Sequence, residues 1–158
     1  MNAEIILGVL IMTEWQQNIL HSGEQIRELL LNTRRIAVLG IKTEQQAGQA
    51  AFYVPEYLAR AGFEIIPVPV YYPEVTEILG QKVYRRLADI PDEVDMVNVF
   101  RRSQDIDQHV EDILAKAPRS VWIQLDIRND PVAERLARAG IQVVQDRCIM
   151  VDHRRFAA

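Results

Sequence analysis

The sequence predicts an α/β fold in which a doubly wound parallel sheet of about five strands carries helices on both faces. Short apolar runs rich in β-branched residues alternate along the chain with longer helical segments. The runs are apolar at nearly every position, as expected of strands that are covered on both sides. Glycines end several of the helical segments, which is typical of helix C-termini. The crossovers between strands should be right-handed.

Glycines mark the boundaries of the first strand–helix unit. The run RIAVL ends at Gly40, and the helical segment that follows it ends at Gly62. Pro67 is unfavourable in a central strand because it donates no backbone hydrogen bond, so we expect it at the end of its strand. The predicted elements are a strand at Arg35–Leu39, a helix at Ala50–Ala61 and a strand at Phe63–Val68.

The second half of the chain repeats the alternation. We expect Ser103 to cap one helix, Asn129 or Asp130 to cap another, and Gly140 to end the latter. The predicted elements are strands at Met96–Phe100, Ser120–Leu125 and Ile141–Gln145, a shorter candidate strand at Lys82–Tyr84, a helical turn at Arg86–Ile90, and helices at Ser103–Lys116 and Pro131–Ala139.

Two short helices are predicted before the first strand. Ser22 with Gln25 forms a capping-box pattern, and Thr13 with Gln16 forms another. Because the second pattern follows Met12 directly, we expect Met12 to be the natural start, with an extension before it. Intact-mass analysis of protein from the native source would check this start.

Length and composition limit the functions that the protein could have. The 158 residues suffice for one domain at residues 34–158 after an N-terminal extension with helices at residues 1–33. The net charge of −4 argues against nucleic acid or an anionic membrane as partner. The run Ile5–Met12 is too short to span a bilayer. Cys148 is the only cysteine, which suits a reducing cytoplasm, and no histidine pair shares metal-ligand spacing with it.

The carboxyl ends of the strands are the place to look for a ligand, because doubly wound sheets bind there. The segment Gly40–Ala51 offers a flexible glycine and a helix N-terminus that favours an anion, and Lys42 could add charge. The sequence NVFRRS brings Arg101 and Arg102 to the same edge, and guanidinium groups suit phosphates. Two separate anion sites predict a ligand with more than one phosphate. A solvated arginine pair, or one bridged to nearby aspartates, is the alternative.

The end of the second strand argues against NAD. A dinucleotide site usually has an acidic residue there to bind the ribose hydroxyls. Here the chain reads PVPVYYPEV, and Glu74 comes late. Tyr71 or Tyr72 could flank an adenine, or the segment could be a rigid surface turn, and the sequence leaves both open.

Several blocks of sequence between about Arg34 and Arg155 match a known family in their order and spacing. They are IAVLG, YVPEYLARAGFEIIPVPV, ILGQKVYRRLADIP, VDMVNVFRRS, VWIQLDIRN and VVQDRCIMVDHRR. In these blocks the chain resembles the CoA-binding domain family, small Rossmann-like proteins similar to the CoA-binding domain of the succinyl-CoA synthetase α subunit. The resemblance implies a Rossmann-like domain that binds coenzyme A, or an acyl-CoA, at the C-terminal edge of its sheet.

The resemblance also implies which residues hold the coenzyme. The first loop would take the pyrophosphate, the proline-rich segment would border the adenosine, and the FRR turn would help to hold the nucleotide or the pantetheine arm. On the matching positions, the implied contact residues are Gly40, Ile41, Lys42, Tyr53, Val68, Pro69, Tyr71, Phe100, Arg101 and Arg102.

Four positions depart from the family's pattern. Gln49 and Ala51 stand where an arginine and a serine are usual, Asn98 stands in place of an aspartate, and Asp126 in place of a glycine. Loss of the arginine and the hydroxyl would weaken phosphate binding unless Lys42 substitutes for them. The carboxylate of Asp126 would repel the ligand if it faces inward.

The expected function is therefore non-catalytic CoA binding, with a homodimer left open. The first alternative is an acyl-CoA-linked enzyme or partner subunit in which Cys148, near Arg147 and His153, acts as nucleophile. The bland interpretation of Cys148 is a small buried apolar residue. The second alternative is an NAD-type nucleotide binder.

Overall fold

The computed structural model describes residues 14–158 and confirms the predicted α/β class. The start at Met12 and the cap at Thr13 lie outside the described residues. The strands are β1 (Arg35–Leu39), β2 (Glu64–Val68), β3 (Glu77–Ile78), β4 (Gln81–Lys82), β5 (Met96–Val99), β6 (Ser120–Ile123) and β7 (Gln142–Val144). Five of them form a parallel sheet in the order β2-β1-β5-β6-β7, and β3 and β4 form a small antiparallel ribbon.

Helices cover both faces of this sheet. They are α1 (Gly23–Leu31), α2 (Ala50–Arg60), α3 (Ser103–Ile106), α4 (Val110–Lys116), α5 (Asp130–Arg138) and α6 (Ile149–Asp152). Ala37 and Leu39 of β1 pack in one core cluster with α3, α4 and α5. Ile36 and Val38 point the other way, into a second cluster with α1, α2 and α6. Alternate residues of one strand thus reach opposite layers, which explains why the strands read as continuous apolar runs.

The predicted helix starts are partly confirmed. Ser22 and Gln25 form the expected capping box of α1, and Asn129 accepts the Val132 N–H at the start of α5. The prediction for Ser103 was wrong: it is the first residue of α3, and its hydroxyl donates to the carbonyl of Arg128 instead. The helix predicted from Ser103 is also divided by a 3₁₀ turn at Asp107–His109.

Pro67 lies inside β2 and not at its end, and the topology explains why it is tolerated. β2 is an edge strand, paired only with β1. The backbone of Val68 faces β1, since its carbonyl accepts the Gly40 N–H, whereas the carbonyl of Pro67 faces outward and accepts the Tyr84 N–H. The N–H that proline lacks would therefore point away from the sheet, where no strand needs it.

The short connections differ in detail from the prediction. The strand expected at Lys82–Tyr84 lies one step earlier, as β4, and the turn expected at Arg86–Ile90 is a 3₁₀ turn at Leu87–Asp89. The segment before α1 packs on the far edge of the sheet, where the Leu20 N–H donates to the carbonyl of Val143 over 2.9 Å. Within residues 14–158, no helix combines the length and apolar character needed to cross a membrane.

The strand order reverses between β1 and β5. From β1 the chain passes outward to β2, then returns to the other side of β1 and continues through β5, β6 and β7. The loops that follow β1 and β5 therefore leave in different directions at the carboxyl edge, and we call the region between these loops the crevice. This switch point is where sheets of this topology bind ligands.

Candidate functional site at the switch point

Gly40 brings the ends of three strands into direct contact. Its φ is +87°, and a Cβ there would lie 2.3 Å from the carbonyl oxygen of Phe100 and 3.3 Å from Cδ of Arg101. Its N–H donates to Val68, while the Phe100 N–H donates to Leu39. The anion sites predicted separately at the glycine loop and at the FRR turn are therefore neighbours in one crevice.

A proline in α2 positions the glycine loop. Pro55 has no N–H, so the carbonyl of Ala51, four residues earlier, lacks its helical donor. The backbone N–H of Lys42 fills that place at 3.0 Å and ties the loop to the first turn of α2. Ala51, which lacks the hydroxyl usual in the family at this position, thus helps to hold the glycine loop through its backbone carbonyl.

Lys42 and Gln49 meet at the N-terminus of α2. The Lys42 ammonium donates to Oε1 of Gln49, which is the N-cap residue and makes no side-chain bond to the helix. A cation therefore lies beside the positive end of the helix dipole, an arrangement that favours an anion. Lys42 thus places a positive charge beside Gln49, the position at which the family usually has an arginine.

Arg101 is buried without a carboxylate. Only 8% of the residue is exposed. Its Nε donates to Nε2 of His109 over 3.1 Å, and its Nη1 lies 3.4 Å from the Tyr71 hydroxyl. Among residues 14–158 it forms no ion pair, and its Nη2 has no acceptor. Because Asn98 Oδ1 is the only side-chain nitrogen or oxygen atom of the described residues that is buried without a partner, Nη2 of Arg101 is not sealed from solvent, and a guanidinium with an unpaired, accessible nitrogen suits an external anion.

Arg102 has the opposite environment. It is exposed and donates to Asp105 over 2.8 Å, and this bond and the charge of Asp105 raise the pKa of its guanidinium. The alternative of a solvated, aspartate-paired arginine therefore describes Arg102, while Arg101 faces the crevice.

Neither His109 nor Arg85 was nominated as a site residue from the sequence. His109 contacts Arg101 directly, and desolvation followed by the charge of Arg101 lowers its pKa. Arg85 donates to the carbonyls of Tyr71, Tyr72 and Val75 at 2.9, 2.8 and 2.8 Å. It thereby fixes the loop that carries Tyr71 beside Arg101. Only their residue types, a histidine and an arginine, could have suggested a role in the site. Nothing in the local spacing of the sequence links them to the crevice.

The other nominated residues divide by exposure. Ile41, Val68 and Pro69 are buried, so they present little surface to a ligand. Tyr53 and Tyr71 are 40% and 60% exposed. The Tyr71 ring centroid lies 5.7 Å from the guanidinium carbon of Arg101. The two tyrosines therefore provide open aromatic surface near the crevice.

Two of the departures from the family's pattern have structural explanations. Asn98 is fully buried in β5, where its Nδ2 donates to the carbonyl of Trp122 over 3.2 Å. It is a core residue below the crevice, and its Oδ1 lacks a partner among the described residues. Asp126 is exposed, has φ +69°, and donates its N–H to Asp146 over 2.7 Å. Aspartate tolerates this left-handed conformation better than most residues.

The surroundings of Cys148 do not form a catalytic pair. The thiol is half-buried at the start of α6. Arg147 is bonded to Asp152, and Nδ1 of His153 lies 2.7 Å from the Tyr57 hydroxyl. Burial lowers the pKa of His153, which favours the neutral ring. Within residues 14–158, no group of three or more histidine, cysteine or acidic residues is arranged to hold a metal.

Comparisons with known proteins match this architecture. The uncharacterized protein YneT of Bacillus subtilis (strain 168) is 34% identical over 132 residues, which are 84% of this chain and 94% of YneT. The structure of ID.343 from Thermus thermophilus has a TM-score of 0.79 and 35% identity, covering 86% of this chain and 99% of that one. A hypothetical protein from Pyrococcus horikoshii OT3 has a TM-score of 0.77 and 30% identity, with coverage of 86% and 92%.

The CoA binding domain family matches residues 34–154. This span begins just before β1 and includes every strand of the parallel sheet, the glycine loop and the turn that carries Arg101. The match therefore covers the whole of the crevice and its supporting sheet, and the chain belongs to the CoA binding domain family.

Proposed function

We propose that the protein binds coenzyme A, or an acyl-CoA, without catalysing a reaction on it. The observation that carries the proposal is Arg101, a buried residue that packs against Gly40 at the switch point and has no carboxylate partner within residues 14–158. Membership of the CoA binding domain family supports the choice of ligand.

The polar groups of the crevice suit the phosphates of CoA. The loop from Gly40 to Gln49, with the ammonium of Lys42 at the start of α2, suits the pyrophosphate. Arg101 lies beside this loop and offers its free Nη2 to one of the same phosphates. The exposed ring of Tyr71 then borders the adenosine. In this arrangement the glycine loop and Arg101 bind phosphates of the same ligand.

The absence of catalysis is part of the proposal. A nucleophilic cysteine needs a base or a cation directed at it. The nearest candidates in sequence, Arg147 and His153, are engaged by Asp152 and Tyr57. We therefore propose a carrier, sensor or partner subunit. The single cysteine supports a location in the reducing cytoplasm.

Calorimetric titration of the wild-type protein with CoA, dephospho-CoA and NAD tests the proposal. We expect CoA to bind more tightly than NAD, because no acidic residue ends β2 to bind a nicotinamide nucleotide's ribose. Tighter binding of NAD would favour the nucleotide-binding alternative. Incubation with acyl-CoA thioesters is expected to release no thiol. Turnover that is lost in Cys148→Ser would overturn the non-catalytic part.

Pro55→Ala should weaken CoA binding about fivefold while the protein stays folded. Alanine restores an N–H that pairs with the Ala51 carbonyl and competes with the Lys42 N–H, at a loss of about 1 kcal/mol in holding the loop. Titration with CoA, together with thermal unfolding of the free protein, measures both effects. Glu56→Ala, on the next residue of α2, is the control and should bind as wild type. Unchanged affinity in Pro55→Ala would contradict the role of the missing N–H.

A further inference from the structure

Resting on the proposed CoA site, we propose that His109 positions Arg101 for a phosphate of the ligand, and that only the neutral imidazole does so. His109 ends the 3₁₀ turn between α3 and α4, and Arg101 follows β5. The two side chains meet although neither element's local pattern pairs them. In this proposal His109 acts through Arg101, by the hydrogen bond that its Nε2 accepts from Nε.

The hydrogen-bond geometry assigns the proton on the ring. The Nε of Arg101 is always a donor, so Nε2 of His109, 3.1 Å away, must accept and carries no proton. This bond and the contact with the Tyr71 hydroxyl hold two edges of the guanidinium, which leaves Nη2 for the ligand. An imidazolium has no free lone pair, and it would place a second cation against the first.

The acidic groups that face His109 offset this repulsion only in part, and each is also bonded to another group. Asp105 is paired with Arg102 over 2.8 Å. Asp112 accepts the backbone N–H groups of Leu87 and Ala88 at 2.7 and 3.0 Å. Protonation of His109 would therefore break its bond with Arg101 and release the guanidinium from its orientation.

The pKa of His109 sets the direction of the effect. Desolvation and the charge of Arg101 lower it below the ordinary histidine value, while the two aspartates raise it by less. The ring is therefore neutral at pH 7, and the positioning is complete there. Acidification through the lowered pKa protonates the ring, so the affinity for CoA should fall on the acid side of the ordinary histidine range.

Calorimetric titration of wild type, His109→Gln and His109→Phe between about pH 5 and pH 7.5 tests the inference. Glutamine keeps an acceptor for Arg101 but does not titrate, whereas phenylalanine keeps the ring shape without an acceptor. Dephospho-CoA serves as ligand beside CoA, since it lacks the phosphate monoester that itself titrates at about pH 6.

With both ligands, we expect wild-type affinity to fall about tenfold on acidification, His109→Gln to stay nearly constant, and His109→Phe to be about tenfold weaker throughout. Parallel profiles for wild type and His109→Gln would overturn the inference. So would affinity that rises on acidification only when His109 is present, because the imidazolium would then bind the phosphate itself. If His109→Phe binds as wild type, the inference alone fails. If wild type binds no CoA at neutral pH, the proposed function fails with it.

Discussion

Arg101→Met is expected to remove most of the affinity for CoA while leaving the free protein about as stable as wild type, or more stable. A charge-assisted hydrogen bond to phosphate contributes about 1.5–3 kcal/mol, so affinity should fall roughly ten- to 100-fold. In the free protein, in contrast, Arg101 is a residue that is 8% exposed and has no carboxylate partner among the described residues. Methionine fills a similar volume without a charge to desolvate.

Two measurements separate these effects. Titration with CoA gives the affinity, and urea unfolding without ligand gives the free energy of unfolding. Arg102→Met is the matched control: its side chain is exposed and paired with Asp105, so the loss of affinity should be smaller. A large loss of stability in Arg101→Met, with affinity reduced no more than in Arg102→Met, would show that Arg101 is a structural residue and would remove the main support for the proposed function.

The strands were predictable because the features that define them are local. Arg35–Leu39 is apolar after its first residue and is followed by a glycine, and the structure has the same bounds. The predictions failed where the role of a residue depends on a partner that is distant in the sequence. Serine is a residue type that often caps helices, yet the hydroxyl of Ser103 donates to the carbonyl of Arg128, in the segment that follows β6. Pro67 is tolerated because β2 is an edge strand, which only the strand order reveals.

The same distinction between local features and distant partners applies to the crevice. Its location could be predicted because the carboxyl ends of parallel strands share an edge. The different environments of Arg101 and Arg102 could not, since adjacent side chains in an extended segment point to opposite sides and sequence does not say which side is inward. The pairings of Arg101 with His109 and of Arg85 with the Tyr71 loop depend on packing between separate elements. Contacts of this kind produce no periodic pattern in the sequence.

Gly40→Ala is expected to destabilise the fold by about 3 kcal/mol or more and to abolish CoA binding. Part of this loss, about 1–2 kcal/mol, comes from the positive φ of +87°, which side chains other than glycine rarely adopt. The rest comes from the new Cβ, which would lie 2.3 Å from the carbonyl oxygen of Phe100. A backbone oxygen cannot rotate away, so the ends of β1 and β5 would have to separate.

Gly140→Ala separates the two contributions. Gly140 has the same φ of +87°, but a Cβ there would meet nothing within 4 Å. Its substitution should therefore show only the conformational term, about 1–2 kcal/mol in urea unfolding, and should leave CoA affinity nearly unchanged. Equal losses in both variants would mean that the β1 and β5 ends relax freely around a side chain. The larger loss in Gly40→Ala is expected because the same close approach that excludes a Cβ brings Arg101 against the glycine loop, so stability and the proposed phosphate binding would depend on one contact.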